Sequence, residues 1–206
     1  DFDSSRVRAV DPAGEVITLV KRDNFTQPFG IALGPNNTLY IETDDNDSGV
    51  HSLTSGTIWR VDRTTGDAQV IARDLGRPRG LAVLADGRIA MADHVHHTIA
   101  ILDPATGVVT PLAGALDQAG HANAIGVDAR FAQPYDIVLM ADGDLAVSDM
   151  DNHRIRRVTL AGVVTDLAGS GNLGNLDGPV AVASFDAPQA LALAASGALY
   201  VTDIRR

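Results

Sequence analysis

The chain has 206 residues, of which 45% are hydrophobic and 20% charged, and its formal net charge is −10. These proportions are those of an ordinary soluble globular protein and exclude a disordered or fibrous chain. The absence of cysteine excludes disulfides and thiolate chemistry, no apolar run is long enough to span a bilayer, and the acidic balance without a Lys/Arg cluster argues against nucleic acid as a partner.

Four segments of the chain share one pattern, in which a Phe or Leu is followed three residues later by Pro. Each Pro precedes short runs that are bounded by Gly and Asp and alternate with a period of two, which predicts β-strands. No stretch keeps the period of a helix for long enough to predict one. We therefore expect a single all-β domain over residues 1–206, built from repeats. The repeat prolines are Pro28, Pro78, Pro134 and Pro188, at intervals of 50, 56 and 54 residues.

The predicted strands form groups of up to four, named a to d within each group. The first group is a c–d pair within 5–20, and the last is an a–b pair. Turn pairs such as Asp86-Gly87, Asp142-Gly143 and Ser196-Gly197 connect a to b, because they tolerate the positive φ of a tight hairpin. The groups between the ends are predicted at 29–33, 38–43, 57–62 and 67–73; at 80–85, 88–93, 98–103 and 108–114; and at 135–141, 144–149, 154–159 and 163–169, with the last pair at 189–195 and 198–203.

The incomplete groups at the two ends complement each other. We therefore expect them to join in one sheet, which would close a propeller of four four-stranded antiparallel blades and leave no open sheet edge. The alternative is a larger ring, of which this chain forms a part by truncation or by dimerisation, so that a monomer and a homodimer both remain open. The expected blades are 23–74, 75–128, 129–184 and a composite of 185–206 with 1–22.

The motif F-x-x-P, a strand, D-G-x-L, and then the segments 147–169 and 174–188 resemble the NHL repeats of β-propeller proteins. The resemblance covers nearly the whole chain, although blade one has Thr43 where the others have Asp93, Asp149 and Asp203. NHL propellers most often have six blades. The resemblance also implies an extracellular or periplasmic location and structural roles for His97 and His153.

One face of the propeller is expected to carry the function. Neighbouring strands of a blade are antiparallel, so the b–c and d–a loops emerge on the same face. This face has the long loops 44–56, 115–132 and 170–187, and loops on a rigid scaffold are where binding concentrates. All six histidines map to it: His51, His94, His96, His97, His121 and His153.

The candidate ligand-binding residues are those that face the mouth of a central channel or belong to the long loops. Four of them follow the repeat Pro at the start of the innermost strand and differ in every blade, which is typical of residues that line a channel. Core packing is an equal alternative for Phe29 and Tyr135. The candidates are Phe29, Arg79, Tyr135, Gln189, His51, His121 and His153.

Two segments could hold a divalent cation, calcium or zinc. Asp44, Asn46 and Ser48 match the first half of an oxygen-ligand calcium loop, but its closing position is Ser55 rather than Glu, which favours a flexible acidic loop. His94 and His96 would point the same way in an extended segment and could share a metal with a third ligand. We expect weak metal binding or none.

Other charged residues have structural explanations. The aspartates that end strand b are expected to accept backbone N–H bonds in turns. Arg154 and Arg156 alternate along strand c, which predicts a solvated or inter-blade surface rather than a ligand contact.

The function expected from these observations is a non-enzymatic binding scaffold that recognises a protein, a peptide or a small molecule on the long-loop face. No catalytic motif of the G-x-S-x-G, H-E-x-x-H or phosphate-loop type is present. The alternative is a metal-dependent propeller hydrolase or lyase, similar to lactonases or amidating lyases. Its ligands would come from His94, His96, His51, His121, Asp136 and the acids of 44–47.

Overall fold

The computed structural model describes residue 1 and residues 3–204. Phe2, Arg205 and Arg206, which the expected composite blade included, lie outside the described residues. Two short 3₁₀ helices, Gly126–Asp128 and Met150–Asn152, interrupt an otherwise all-β chain. The strands are β1 (Arg6–Val10), β2 (Val16–Lys21), β3 (Pro28–Leu33), β4 (Thr38–Thr43), β5 (Gly56–Asp62), β6 (Ala68–Leu75), β7 (Pro78–Val83), β8 (Ile89–Asp93), β9 (Thr98–Leu102), β10 (Val109–Ala113), β11 (Pro134–Leu139), β12 (Leu145–Asp149), β13 (Arg154–Val158), β14 (Val164–Ala168), β15 (Pro188–Leu193) and β16 (Leu199–Asp203).

The strands form three complete blades of a β-propeller. Strands β3 to β6, β7 to β10 and β11 to β14 each make a four-stranded antiparallel sheet in sequence order. The predicted all-β class and the four-stranded antiparallel blades are thereby confirmed. Each inner strand begins at the repeat Pro, slightly earlier than predicted, because Pro is tolerated at the first position of a strand.

The composite fourth blade does not form. Strands β1 and β2 make one two-stranded sheet and β15 and β16 make another, so the prediction that the two ends join in one sheet is wrong for the described residues. The interfaces between blades supply the physical reason. Small side chains such as Ala90, Ala92 and Ala113 pack in one layer with residues of blade three, so the position of each blade is set by packing on its neighbour rather than by pairing between the two ends.

The hairpin turns that connect strands a and b have the predicted backbone conformation. Gly87, Gly143 and Gly197 have φ values of 88°, 90° and 86°, a region that favours glycine. The three hairpins therefore stay short, and this face of the blades carries little besides tight turns.

The aspartates at the ends of the b strands hold the start of each repeat, as expected. Asp93 accepts N–H bonds from Arg77 and from its own turn, and Asp149 and Asp203 accept the N–H groups of Ala132 and Ala187. Each carboxylate thus ties the end of strand b to the segment that leads into strand a of the same blade.

The side chain of Arg156 is buried and contacts several residues. The expectation that it covers a solvated surface is therefore wrong. Its side chain is 0% exposed, and its Nη1 lies 2.6 Å from Asp149 Oδ2. It also donates to the carbonyl groups of Arg130 and Ala122 and to the side chain of Asn123. The buried guanidinium therefore fastens the long loop 115–132 to blade three.

None of the helices among the described residues is long and apolar enough to cross a membrane.

Candidate functional site

The first residues of the four inner strands surround one cavity at the long-loop end of the channel. Phe29, Arg79, Tyr135 and Gln189 all line it, and each follows the repeat Pro of its strand. The cavity has a volume of about 340 Å³, which lies in the range of small-molecule sites. The structure thus brings together the four residues that differ between otherwise similar repeats.

Arg79 lines this cavity and contacts two of its aromatic rings. Its guanidinium carbon is 4.1 Å from the ring centroid of Phe29 and 5.8 Å from that of Tyr135. The two rings meet edge to face with centroids 5.8 Å apart. Such contacts stabilise a cation over the face of a ring and hold the planar group in one orientation.

Three of the cavity residues, Arg79, Tyr135 and Gln189, each contact a residue of the preceding blade. In every case that residue is the one that directly follows strand b of its blade. Asp44 Oδ2 lies 2.8 Å from Arg79 Nη2. The rings of His94 and Tyr135 are 5.9 Å apart, and Gln189 Nε2 donates to Met150 Sδ at 3.4 Å. We name these contacts the junction pairs: Asp44–Arg79, His94–Tyr135 and Met150–Gln189.

Two carboxyl groups lie next to Arg79: Glu42 belongs to strand β4, and Asp44 directly follows that strand. Glu42 is 0% exposed, and burial raises its pKa well above the usual range, to which the negative charge of Asp44 adds. Glu42 Oε1 and Asp44 Oδ1 are both buried without a hydrogen-bond partner in the described structure. The positive charge of Arg79 opposes the rise in the pKa, because it favours the ionised carboxylate of Glu42.

A second polar chain leads from the loop 44–56 to Arg77. Arg77 Nη2 is 2.6 Å from His51 Nε2, and His51 Nδ1 is 2.6 Å from Asp45 Oδ1. A guanidinium can only donate, so Nε2 accepts and the ring donates through Nδ1 to Asp45. Thr26 donates to the other oxygen of Asp45 at 2.8 Å. His51 thus links two charged residues and is not one of the residues that line the cavity.

His94 is neutral at physiological pH. Burial, and next to it the positive charge of Arg79, lower its pKa to about 4. Its Nδ1 is buried without a hydrogen-bond partner in the described structure. The ring therefore serves as an uncharged wall against Tyr135.

The far wall of the cavity is fixed by Asp136 and Ser148. Asp136 Oδ2 accepts the N–H of Leu191 at 2.8 Å, and Ser148 Oγ donates to the carbonyl of Gln189 at 2.6 Å. Burial raises the pKa of Asp136. Both residues connect β15 to blade three, so the wall is held by strand-to-strand bonds.

Two of the predicted ligand-binding histidines lie away from this cavity. His121 Nε2 is 2.9 Å from Asp166 Oδ1, beside Arg154 and Arg156. His153 has a φ of 56° and contacts the carbonyl of Asp186 through Nδ1. Both connect elements of the scaffold, and ligand binding by them remains a prediction.

The candidate metal ligands do not converge. Asn46 Oδ1 accepts the N–H groups of Ser48 and Val50, both at 2.9 Å, so it organises its own turn, while Ser48 is exposed. His94 and His96 lie in a turn rather than the expected extended segment, and His96 faces Asp93 instead. Among residue 1 and residues 3–204, no group of three His, Asp or Glu side chains is placed to hold a metal ion.

Sequence reasoning missed Glu42 and Arg77. A signal for Glu42 was present, because Ala92, Ser148 and Thr202 stand at the equivalent position of the other repeats. A carboxylate where the other repeats have small residues indicates a local charge partner. Nothing in the repeat pattern distinguished Arg77 from an exposed loop cation.

Comparisons with known proteins identify the fold and leave the function open. No family model matches the chain. It is 30% identical over 159 residues, 66% of its length, to Protein SUPPRESSOR OF QUENCHING 1, chloroplastic, from Arabidopsis thaliana, and spans only 14% of that relative.

Two solved structures illustrate the functional range of the neighbours. An auxiliary nutrient binding protein from Bacteroides thetaiotaomicron superposes with a TM-score of 0.73 at 21% identity over 92% of this chain and 48% of its own. An inactive variant of virginiamycin B lyase from Staphylococcus aureus, solved with quinupristin, gives 0.65 at 15% identity over 98% and 57%. This chain thus spans about half the length of these structures, and the neighbours include both a binding protein and an enzyme.

Proposed function

We propose that this chain is a non-enzymatic binding scaffold that holds a small ligand or a peptide segment at the mouth of its channel. The observation that carries the proposal is the position of Arg79, which two aromatic rings and a buried carboxylate hold over a cavity of about 340 Å³. A cation fixed in this way is ready to recognise a ligand without rearrangement, which reduces the entropic cost of binding.

The chemistry of the cavity favours a ligand with a hydrogen-bond acceptor and a ring. Arg79 donates one N–H to Asp44 through Nη2, and because its Nε is buried, only the terminal nitrogens are left to donate to a ligand. The remaining donors suit a carboxylate or a peptide carbonyl. Phe29 and Tyr135 offer aromatic surface next to the guanidinium.

A set of N-benzoyl and N-acetyl amino acids, screened by ligand-observed NMR, tests this proposal. We expect Arg79→Ala to weaken binding by about 30-fold, the equivalent of about 2 kcal/mol for the loss of an anchor. Arg88→Ala, which removes the same charge from a short turn on the opposite face, is the matched control and should leave binding unchanged. Equal effects of the two substitutions, or no binding at all, would contradict the proposal.

The alternative, a metal-dependent hydrolase or lyase, rests on the acids and histidines around the cavity. Their present partners do not fit a metal site, because Asp44 is paired with Arg79, burial raises the pKa of Glu42, and His94 packs on Tyr135. Zinc or calcium binding tighter than micromolar, lost in Asp44→Asn, would favour the enzyme over the binding scaffold.

A further inference from the structure

A second cavity lies between blades one and two, away from the channel. Its volume is about 520 Å³, and it is lined mainly by apolar side chains of blade two and of the loop that follows β10. We name it the inter-blade cavity. Its lining residues include Asp74, Met91, Ala100, Val109, Leu116 and Val127.

The floor of the inter-blade cavity belongs to the packed core. Met91 is 2% exposed and, with the partly buried Ala100 and Val109, packs in the layer between the two blades. This floor can change shape only by disturbing that layer. It therefore offers a fixed apolar surface on which the hydrophobic part of a molecule can be buried.

A loop attached to the same blade covers the cavity. The N–H of Asp117 donates to the carbonyl of His96 at 3.1 Å, and the N–H of Gly114 donates to that of Gly126 at 3.1 Å. Leu116 and Val127 project from this loop region with 64% and 66% of their surface exposed. Two large apolar side chains are thus held in water at the mouth of an apolar cavity, where a bound molecule would cover them.

The charged groups around the cavity are all acidic or histidine. Asp74 is exposed, and its carboxylate has no hydrogen bond or ion pair to another described residue. His96 Nδ1 is 3.1 Å from Asp93, so its outer nitrogen, 3.9 Å from Asp117, faces a carboxylate. The nearest arginines along the chain have other partners, since Arg73 pairs with Asp47 and Arg77 contacts His51. A positive charge is therefore favoured here and a negative one is not.

We propose that the inter-blade cavity binds a small hydrophobic amine, with its apolar part on Met91, Ala100 and Val109 and its ammonium group towards Asp74. Apolar burial supplies most of the affinity, and the free carboxylate selects a cation over a neutral or anionic molecule of the same shape. This site is independent of the channel mouth, because the two cavities share no lining residue.

Three probes of nearly the same shape test the site on the full chain: 2-phenylethylamine, 2-phenylethanol and 3-phenylpropanoate. We expect the amine to bind up to about fivefold more tightly than the alcohol, which corresponds to one solvent-exposed ion pair, and the carboxylate to bind most weakly. Isothermal titration at low salt measures all three. Equal affinities, or no binding at millimolar concentrations, would overturn the proposal.

Substitutions test the contribution of the Asp74 carboxylate and that of the apolar surface separately. Asp74→Asn should abolish the preference for the amine while the alcohol still binds, whereas Asp86→Asn, the same charge change on the opposite face, should preserve it. Ala100→Phe should fill the cavity and abolish binding of all three probes. Leu116→Ala should weaken all three without threatening the fold, because that side chain is exposed. Unchanged binding in both of these variants would place the probes elsewhere and refute the site.

Discussion

The carboxylate of Asp44 and the guanidinium of Arg79 come from neighbouring blades and meet across the interface, with Oδ2 2.8 Å from Nη2. Their side chains are only 2% and 13% exposed. Because a largely buried charge is costly without its partner, this one contact both fixes Arg79 over the channel and joins two blades.

Removal of the charge on Asp44 should therefore cost stability. We expect Asp44→Asn to lower the free energy of unfolding by about 3 kcal/mol, because the buried guanidinium loses its counter-charge. Asp47→Asn is the matched control, since its partner Arg73 is exposed, and it should cost less than about 1 kcal/mol. Urea denaturation at neutral pH measures both, and similar losses would show that burial does not strengthen the pair.

The Glu42→Gln variant should become more stable relative to the wild type as the pH rises. The pKa of Glu42 is raised in the folded protein, so its contribution to stability is present below the ordinary value of 4.5 and is lost as the pH rises towards the folded value. Within that window the free energy of unfolding of the wild type falls by up to about 1.4 kcal/mol per pH unit relative to the variant. Parallel stability curves of the two proteins between pH 5 and pH 8 would contradict a raised pKa of Glu42.

His94 should have the opposite pH dependence. Its folded pKa of about 4 lies below the ordinary 6.5, so the stability that it contributes is complete above the ordinary value and is lost as the pH falls towards the folded one. We expect its ring resonances to stay at neutral positions down to pH 5, and His94→Gln to flatten the acid side of the stability curve. A midpoint near pH 6.5 for this ring would refute the burial argument.

Two adjacent arginines on β13, Arg156 and Arg157, should differ sharply in how much they contribute to the free energy of unfolding. Arg156→Met leaves Asp149 buried without its partner, so we expect a loss of about 3–5 kcal/mol in the free energy of unfolding. Arg157→Met removes contacts to Asp142 and Asp144 from a side chain that is 37% exposed, and should cost less than about 1 kcal/mol. Amide exchange should also show earlier opening of 115–132 in the Arg156 variant alone.

The local elements of this fold could be predicted from the sequence because their signals are local. Alternating side chains specify the strands, and glycines such as Gly87 and Gly143 specify the hairpins through a backbone conformation that favours glycine. The variation at Arg79 and Tyr135 among constant neighbours also indicated the channel mouth. These features depend on a few consecutive residues.

The relative placement of the blades could not be predicted in the same way. The angle between consecutive sheets depends on how side chains such as Ala90 and Ala113 pack against the next blade, and no single repeat contains both sides of that interface. The burial of Arg156 has the same origin, since its partners Arg130 and Asn123 belong to a distant loop. Glu42 was overlooked because its partner, Arg79, comes from the next repeat.

The junction pairs affect how such a chain can be recombined. A graft of blade two alone, bounded by its own first and last strands, would bring Arg79 without Asp44 and His94 without Tyr135. A transferable cassette would instead run from the second strand of one blade through the first strand of the next, such as 38–83, so that both members of a pair travel together. New specificities in this architecture are therefore expected to be built by exchanging junctions, with each seam placed inside a blade.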